Sequence, residues 1–331
     1  MLPPSVAIAF ATVFILGAAD SVSPQKTKIP SAAGSDEPTA AALPTEITRL
    51  RIPVGKQTFD ALAAGPETGE LVLLLHGFPQ TSYSYRHQLV ALGRAGLRAI
   101  AIDQRGYSPD ARPEGVEAYA LDALAGDVLG VADAVQRDSF HLVGHDWGAA
   151  VAWVVAGQNA DRVKTVTALS TPHIGAFMEA LNDPFSEQTR RSAYFALFSS
   201  KGAERTFLAN DCRLFRGLFK GSGLTEAEVQ VYVDALGTPE AMRAALNWYR
   251  AMMLDRTAKS PRLPGPKKIV VPTLYIFSTE DPSMSREAAD ATRDWVTGPY
   301  RFEVLEGFGH WLPEQAAAKV TELILNHVRE E

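Results

Sequence analysis

Residues 142–148 place an aspartate, Asp146, at the centre of a turn between an apolar strand and a helical run. The segment reads Leu-Val-Gly-His-Asp-Trp-Gly. A turn of this shape exposes its central side chain as a nucleophile. A carboxylate that attacks a saturated carbon forms an ester, which water can cleave, whereas a serine would form an ether. The motif therefore favours the opening of epoxides or the displacement of halide at sp3 carbon over ordinary ester hydrolysis.

Two further side chains could complete a hydrolytic set with Asp146. His310 follows the last predicted strand, and Asp281 follows the strand before it. Both are therefore expected at the same carboxyl edge of the sheet as Asp146, in the chain order of nucleophile, acid and histidine that α/β hydrolases use. Glu280 is adjacent to Asp281 and could face the imidazole instead. Asp281 is preferred because its shorter side chain gives a more rigid orientation.

A candidate oxyanion hole precedes the aspartate turn in the chain. Residues 76–79 (His-Gly-Phe-Pro) directly follow an apolar strand, where the loop of such a sheet supplies a backbone N–H donor. We predict the N–H groups of Phe78 and Trp147 as the two donors. His76 and Pro79 of this loop, together with Trp248, are predicted to contact the substrate.

The sequence does not favour a metal site or a disulfide. His141 and His145 are four residues apart, but on a strand they would stand roughly 13 Å apart and could not share one ion. Cys212 is the only cysteine, which excludes an internal disulfide and a multi-cysteine metal site. We expect no metal and no organic cofactor.

The alternation of strands and helices from Glu46 onward indicates a mainly parallel sheet with helices on both faces. Helical patterns between these strands include Gln88 to Ala95 and Leu121 to Val135. Apolar runs predict eight strands: Arg49 to Val54, Gln57 to Ala63, Leu71 to Leu75, Arg98 to Asp103, Phe140 to Val143, Val163 to Leu169, Val271 to Phe277 and Phe302 to Leu305.

The stretch between Pro172 and Pro266 breaks this alternation. It contains no strand-like run, and it carries helical patterns at Arg190 to Phe198, Glu226 to Leu236 and Pro239 to Met253. We interpret residues 172–266 as a helical cap inserted into a core formed by residues 46–171 and 267–331.

These motifs resemble the epoxide hydrolase branch of the α/β-hydrolase superfamily over residues 46–331. The shared features are the His-Gly-x-Pro loop, the Gly-His-Asp-Trp-Gly turn, a helical cap, and a late Asp and His. The resemblance implies an α/β-hydrolase fold with two cap tyrosines that polarise the epoxide oxygen. Tyr249, in Asn-Trp-Tyr-Arg, matches one of them, and Tyr194 matches the other. The loop 103–109 departs slightly from the family pattern, which affects the neighbouring substrate loop.

The resemblance implies a two-step hydrolysis of an apolar epoxide by water. Asp146 would form an alkyl ester, and His310, held by Asp281, would activate the water that cleaves it. A haloalkane or haloacid dehalogenase would use the same three residues, but Phe78 stands where haloalkane dehalogenases commonly carry an asparagine that binds halide. A non-catalytic binding protein on the same fold is a third possibility.

The composition is that of a globular enzyme. The chain has 331 residues, of which 46% are hydrophobic, enough to bury a large core. Its formal net charge of −6 at pH 7 disfavours nucleic acid and anionic membrane surfaces as partners. Oligomeric state is not indicated.

The first residues resemble an export signal. Val6 to Ala19 is an uncharged apolar stretch that ends in small residues, although no Lys or Arg precedes Lys26. We predict a signal peptide over residues 1–21, a polar linker over 22–45, and a periplasmic or secreted protein. A retained N-terminal anchor or a cytoplasmic location are the alternatives.

Overall fold

The computed structural model describes residues 41–257 and 265–330. The predicted signal peptide, and most of the polar linker that follows it, lie outside this part of the chain, so export stays a prediction. Within the described ranges, none of the helices is both long and apolar enough to cross a bilayer.

An eight-stranded sheet forms the centre of the fold. From one edge to the other the strands follow the order β1-β2-β4-β3-β5-β6-β7-β8. Strand β2 pairs antiparallel with both β1 and β4, and every other neighbouring pair of strands is parallel. The strands are β1 (Thr48–Val54), β2 (Gln57–Ala64), β3 (Leu71–Leu75), β4 (Arg98–Ile102), β5 (Phe140–His145), β6 (Val163–Leu169), β7 (Thr273–Ser278) and β8 (Tyr300–Leu305).

Helices cover both faces of this sheet. Leu89 of α1 (Arg86–Arg94) and Leu323 of α12 (Ala317–Arg329) bury their side chains in one core cluster. Val128 of α2 (Leu121–Ala134) belongs to the core on the opposite face. The strands β3 and β5 are buried along their whole length, as expected for parallel strands covered on both sides. Two short helices, α10 (Arg286–Ala291) and α11 (Leu312–Gln315), lie in the loops after β7 and β8.

Helix α3 (Trp147–Gln158) begins directly after Asp146 and is apolar around its whole circumference. Most of its residues are buried, and Val154, Gly157 and Gln158 are partly exposed. It packs on β5 and β6 below and against α2 at its flank. This burial fixes the position of the turn that carries Asp146.

Between β6 and β7 the described residues form helices and no strand. We refer to this segment as the helical insertion. Its members are α4 (Ile174–Asn182), α5 (Glu187–Arg191), α6 (Phe195–Phe198), α7 (Ala203–Gly217), α8 (Glu226–Leu236) and α9 (Pro239–Thr257). Non-helical backbone at 209–212 interrupts α7.

The predicted fold class is confirmed, and all eight strands occur where the sequence indicated them. Several predicted bounds differ. Strand β7 begins at Thr273 rather than Val271, β8 begins at Tyr300 rather than Phe302, and α9 ends at Thr257 rather than Met253. The helix predicted over Arg190 to Phe198 is divided into α5, a 3-10 turn at Ser192–Tyr194, and α6. Strand β5 continues to His145, two residues beyond the predicted end, because Gly144 and His145 pair with β6.

Candidate active site

The turn at Asp146 has the strained backbone of a strand-to-helix elbow. Asp146 has φ 53° and ψ −121°, outside the regions that non-glycine residues usually adopt. A Cβ on Gly148 would lie 2.0 Å from the carbonyl oxygen of Leu75, so only glycine fits there. A Cβ on Gly77 would likewise lie 2.3 Å from Asp146 itself. The glycines on both loops therefore let the backbone close around the carboxylate.

The two oxygens of the Asp146 carboxylate have different neighbours. The backbone N–H of Phe78 donates a hydrogen bond of 2.8 Å to Oδ1. Oδ2 faces the imidazole of His310, whose Nε2 lies 3.5 Å away. Trp147 is the first residue of α3, where helix geometry leaves its N–H without an intrahelical acceptor. The N–H of Phe78, the first predicted oxyanion donor, therefore reaches Oδ1 of Asp146. The N–H of Trp147, the second predicted donor, lies at the start of α3.

His310 and Asp281 form a close pair beside Asp146. Nδ1 of His310 donates to Oδ2 of Asp281 at 2.8 Å. Asp281 is buried, and its Oδ1 accepts from the backbone N–H of Ser283 at 2.8 Å. Glu280 is exposed. Of the two carboxylates that the sequence left open, Asp281 is the one that meets the imidazole.

This arrangement stabilises the charged forms of His310 and Asp281. Burial alone would lower the pKa of His310, but the Asp281 charge and the hydrogen bonds to both carboxylates raise it to about 10. Burial would raise the pKa of Asp281, and the His310 charge and hydrogen bond outweigh this effect and lower it. The surroundings of His310 therefore favour its imidazolium form.

The side chain of His145 positions the backbone at His310, a role that was not predicted from the sequence. Its Nε2 donates to the His310 carbonyl at 2.8 Å, and the hydroxyl of Ser170 donates to the same oxygen at 3.2 Å. Burial and the nearby His310 charge lower the pKa of His145 to about 4, so its ring is neutral. The signal was its position directly before Asp146, at the end of a buried strand.

The side chains of His76 and Trp248, two of the predicted substrate contacts, hydrogen-bond to neighbouring loops. Nε2 of His76 accepts from the N–H of Gln104 at 3.1 Å, and its Nδ1 lies 3.0 Å from the carbonyl of Gly77. The indole N–H of Trp248 donates to the Arg105 carbonyl at 2.8 Å. Both rings are buried, and these hydrogen bonds join neighbouring loops. Substrate contact at His76 and Trp248 stays a prediction.

Pro79, the third predicted substrate contact, is also buried. It follows Phe78 through a cis peptide bond. The cavity described below is lined by other residues. Substrate contact at Pro79 likewise stays a prediction.

Tyr194 and Tyr249 meet over the site in an aromatic cluster. Their ring centroids are 6.3 Å apart, and Tyr249 stacks edge-on against Trp147 at 5.0 Å and Phe78 at 5.4 Å. Tyr249 therefore contacts the residues that carry both predicted oxyanion donors. Tyr194, at the end of the 3-10 turn, lies at the wall of the cavity.

Both tyrosines keep their protons. Burial and the charges of Asp146 and Asp281 raise the pKa of Tyr194 well above its usual value. Burial, the neighbouring Tyr194 and the Asp146 charge do the same to the pKa of Tyr249, partly offset by a hydrogen bond from Trp147. The two hydroxyls are therefore hydrogen-bond donors within the field of Asp146.

A cavity of about 330 Å³ opens on Asp146, Trp147 and Tyr194. This volume lies within the range of small-molecule sites, roughly 300–1,000 Å³. Most of its wall is apolar, with Trp153, Phe177 and Met284 among the lining residues. The cavity fits an apolar small molecule whose reacting atoms meet Asp146.

A buried ion network lies beneath this edge of the sheet. Arg86 donates to Glu314, four residues after His310, and to Glu228 of α8, both at 2.6 Å. Gln80 of the Phe78 loop and Tyr232 of α8 also donate to Glu314, at 2.6 and 2.8 Å. The network thus connects the loop that contains Phe78 and Gln80, the segment that follows His310, and the helical insertion.

We expect Arg86→Met to destabilise the fold by about 3–5 kcal/mol, because it leaves Glu314 buried without its cation. The side chains of Arg86 and Glu314 are only 6% and 2% exposed. The matched control is Arg51→Met, which breaks an ion pair with Asp110 in which both side chains are 62% exposed. That change should cost under about 1 kcal/mol. Urea unfolding at pH 7 measures the free energy of unfolding of both variants. Equal losses would show that the buried network contributes no more stability than the exposed ion pair.

Within the described residues, no group of three or more His, Cys, Asp or Glu side chains is placed to hold a metal ion. His141 and His145 lie at opposite ends of β5, and Nδ1 of His141 hydrogen-bonds to Thr165 at 2.9 Å.

The chain matches a known protein family over most of its length. The model of the alpha/beta hydrolase fold matches residues 70–317. Epoxide hydrolase A of Mycobacterium tuberculosis is 32% identical over 321 residues, which cover 87% of this chain and 96% of that protein. The AB hydrolase superfamily protein YfhM of Bacillus subtilis is 33% identical, with 82% of this chain and 94% of YfhM covered.

Solved structures of epoxide hydrolases are also similar to this chain. Epoxide hydrolase A from Mycobacterium thermoresistibile superimposes with a TM-score of 0.74 at 26% identity, over 86% of this chain and 98% of that one. An epoxide hydrolase from Bacillus megaterium, solved with an inhibitor, gives a TM-score of 0.74 at 27% identity, over 85% of this chain and the whole of that one.

Proposed function

From its membership of the α/β-hydrolase family, with epoxide hydrolases among its relatives, we propose that this enzyme opens epoxides to vicinal diols through an ester on Asp146. One observation carries the proposal. Phe78 holds Oδ1 of Asp146 in the place of a future oxyanion, while Oδ2 faces His310. A carboxylate held in this way presents one oxygen for attack and keeps the other for the later hydrolysis.

In the first step, Oδ2 of Asp146 attacks the less hindered carbon of the epoxide, and the ring C–O bond breaks. Tyr194 and Tyr249 donate hydrogen bonds to the ring oxygen as negative charge develops on it. The high pKa values of both phenols support this role, because they keep the hydroxyl protons in place. The product is a hydroxyalkyl ester of Asp146.

In the second step, His310 removes a proton from water, which attacks the ester carbonyl. Ester formation removes one of the two carboxylate charges that raise the pKa of His310, so this pKa falls and the imidazolium releases its proton. That proton balances the one that the opened ring oxygen takes up. The N–H groups of Phe78 and Trp147 stabilise the oxyanion until the diol leaves.

Residues 172–266, of which 172–257 and 265–266 are described, are proposed as the cap that supplies the two tyrosines. Halide displacement, the rival chemistry, would use the same Asp146 and His310. Its leaving group is a weak base that needs donors but no proton. The phenol hydroxyls near Asp146 therefore favour the epoxide.

We expect Tyr249→Phe to slow epoxide opening strongly, and the double change Tyr194→Phe/Tyr249→Phe to leave little activity. General acid assistance is typically worth about 10²- to 10⁴-fold, and the phenols are the donors to the leaving oxygen. The assay compares diol formation from styrene oxide with halide release from bromoalkanes.

Tyr119→Phe is the matched control, because this buried phenol donates to the Pro113 carbonyl at 2.9 Å outside the cavity lining. It should keep nearly full epoxide turnover. Efficient halide release, with full activity in the double variant, would instead assign the enzyme to dehalogenation.

A further inference from the structure

The cavity at Asp146 continues as a channel along one side of α3. Six residues of this helix line it: Trp147, Ala150, Trp153, Val154, Gly157 and Gln158. They recur every three or four residues, with adjacent pairs at 153–154 and 157–158, and so lie on one side of the helix. Because α3 rises about 1.5 Å per residue, this lining extends about 16 Å from the reacting carboxylate. We call this space the α3 channel.

Small residues make room for the channel on its α3 side. Ala150 and Gly157 carry little or no side chain, one and nearly three helical turns beyond Asp146. A Cβ at Gly157 would already approach the Cβ of Lys267 to 3.2 Å. The channel is therefore kept open by residue size along a helix that is otherwise close-packed.

The opposite wall is apolar and belongs to the helical insertion. Ile174, Phe177 and Met178 form one face of α4, and Phe195 of α6 lies beside Tyr194. None of these side chains offers a charge or a strong hydrogen-bond donor. Thr171 and His173 also line the cavity, so a ligand in the middle of the channel is bound mainly, and not solely, by contact with apolar groups.

The far end of the channel is polar. Asp122, Gln158 and Lys267 line it, and Asp122 and Lys267 are exposed to solvent. The amide of Gln158 hydrogen-bonds to Asp122 at 3.2 Å. The channel thus has an apolar middle, a reactive end at Asp146 and a solvent-facing end.

We infer that the preferred substrate is a terminal epoxide on a long unbranched alkyl chain, with the chain lying in the α3 channel. The inference rests on the proposed epoxide chemistry and adds the class of substrate. An extended chain of roughly a dozen carbon atoms spans about 16 Å. Spread over that length, a volume of about 330 Å³ leaves room for one chain rather than for a bulky branched group.

The first test is a chain-length series of 1,2-epoxyalkanes with 4, 8 and 12 carbon atoms. Each methylene buried in an apolar site can raise kcat/KM about threefold to fourfold. We expect kcat/KM to rise at least about tenfold from the shortest to the longest substrate. The rise should appear mainly in KM, because the chain binds the ground state and the transition state alike.

The second test narrows the channel two turns beyond the carboxylate. Val154 is partly exposed and lies about 12 Å along the helix from Asp146, beyond the reach of 1,2-epoxybutane. Val154→Phe should lower kcat/KM for 1,2-epoxydodecane at least about tenfold and leave the value for 1,2-epoxybutane within about twofold. Val154→Ala is the matched control that keeps the channel open. Met178→Trp, from the opposite wall, should repeat the pattern of Val154→Phe.

The outcomes separate this inference from the proposed function. Equal kcat/KM values for all chain lengths, with no selective effect of Val154→Phe or Met178→Trp, would overturn the channel while leaving epoxide hydrolysis intact. Absence of diol from every epoxide would overturn both. A selective loss for the long substrate supports the channel.

Discussion

Asp146→Ala is expected to abolish epoxide turnover while the protein stays folded. The carboxylate is the proposed nucleophile, so its removal eliminates ester formation rather than merely slowing a proton transfer. Loss of a nucleophile that works with a histidine can lower kcat on the order of 10⁵-fold or more. The measurement is diol formation from styrene oxide, together with circular dichroism and a thermal unfolding curve.

The fold should tolerate this change because the Asp146 side chain points into the cavity and leaves α3 and β5 in place. Asp161→Ala is the control, since this exposed aspartate lies beyond the other end of α3 and should keep full activity. Substantial turnover by folded Asp146→Ala protein would rule out the ester mechanism.

His310→Gln is expected to stop the reaction after its first half. Glutamine cannot deprotonate water, whereas the attack of Asp146 on the epoxide does not require the imidazole as a base. One equivalent of epoxide per site should therefore be consumed rapidly, and steady diol release should fall about 10²- to 10⁴-fold. Rapid-quench measurements of epoxide and diol separate the two phases. Equal loss of both phases would show that His310 also serves ester formation.

The proximity of Asp146, Asp281 and His310 could be predicted from the sequence because strand ends fix their positions. Asp146, Asp281 and His310 each follow a parallel strand, and the carboxyl ends of such strands meet at one edge. The sequence favoured Asp281 over Glu280, and the structure shows how the two side chains are directed. The turn after β7 exposes Glu280 and directs Asp281 to the imidazole, and residue type alone does not specify that direction.

Contacts between distant segments could not be predicted in this way. Arg86 and Glu314 are 228 residues apart, and their pairing depends on how α1 and α11 pack. The hydrogen bonds of His76 and Trp248 likewise depend on where the loop at Gln104 and Arg105 lies. The α3 channel follows from the packing of α4 against α3, which helical periodicity does not specify.

The mass of His310→Gln protein after mixing with a terminal epoxide tests the covalent mechanism most directly. The account predicts that the intact mass rises by the mass of one epoxide, and that peptide mapping places this addition on Asp146. Asp146→Ala/His310→Gln protein should show no addition. Diol formation by His310→Gln at the wild-type rate without any adduct, or an adduct on a residue other than Asp146, would contradict the mechanism.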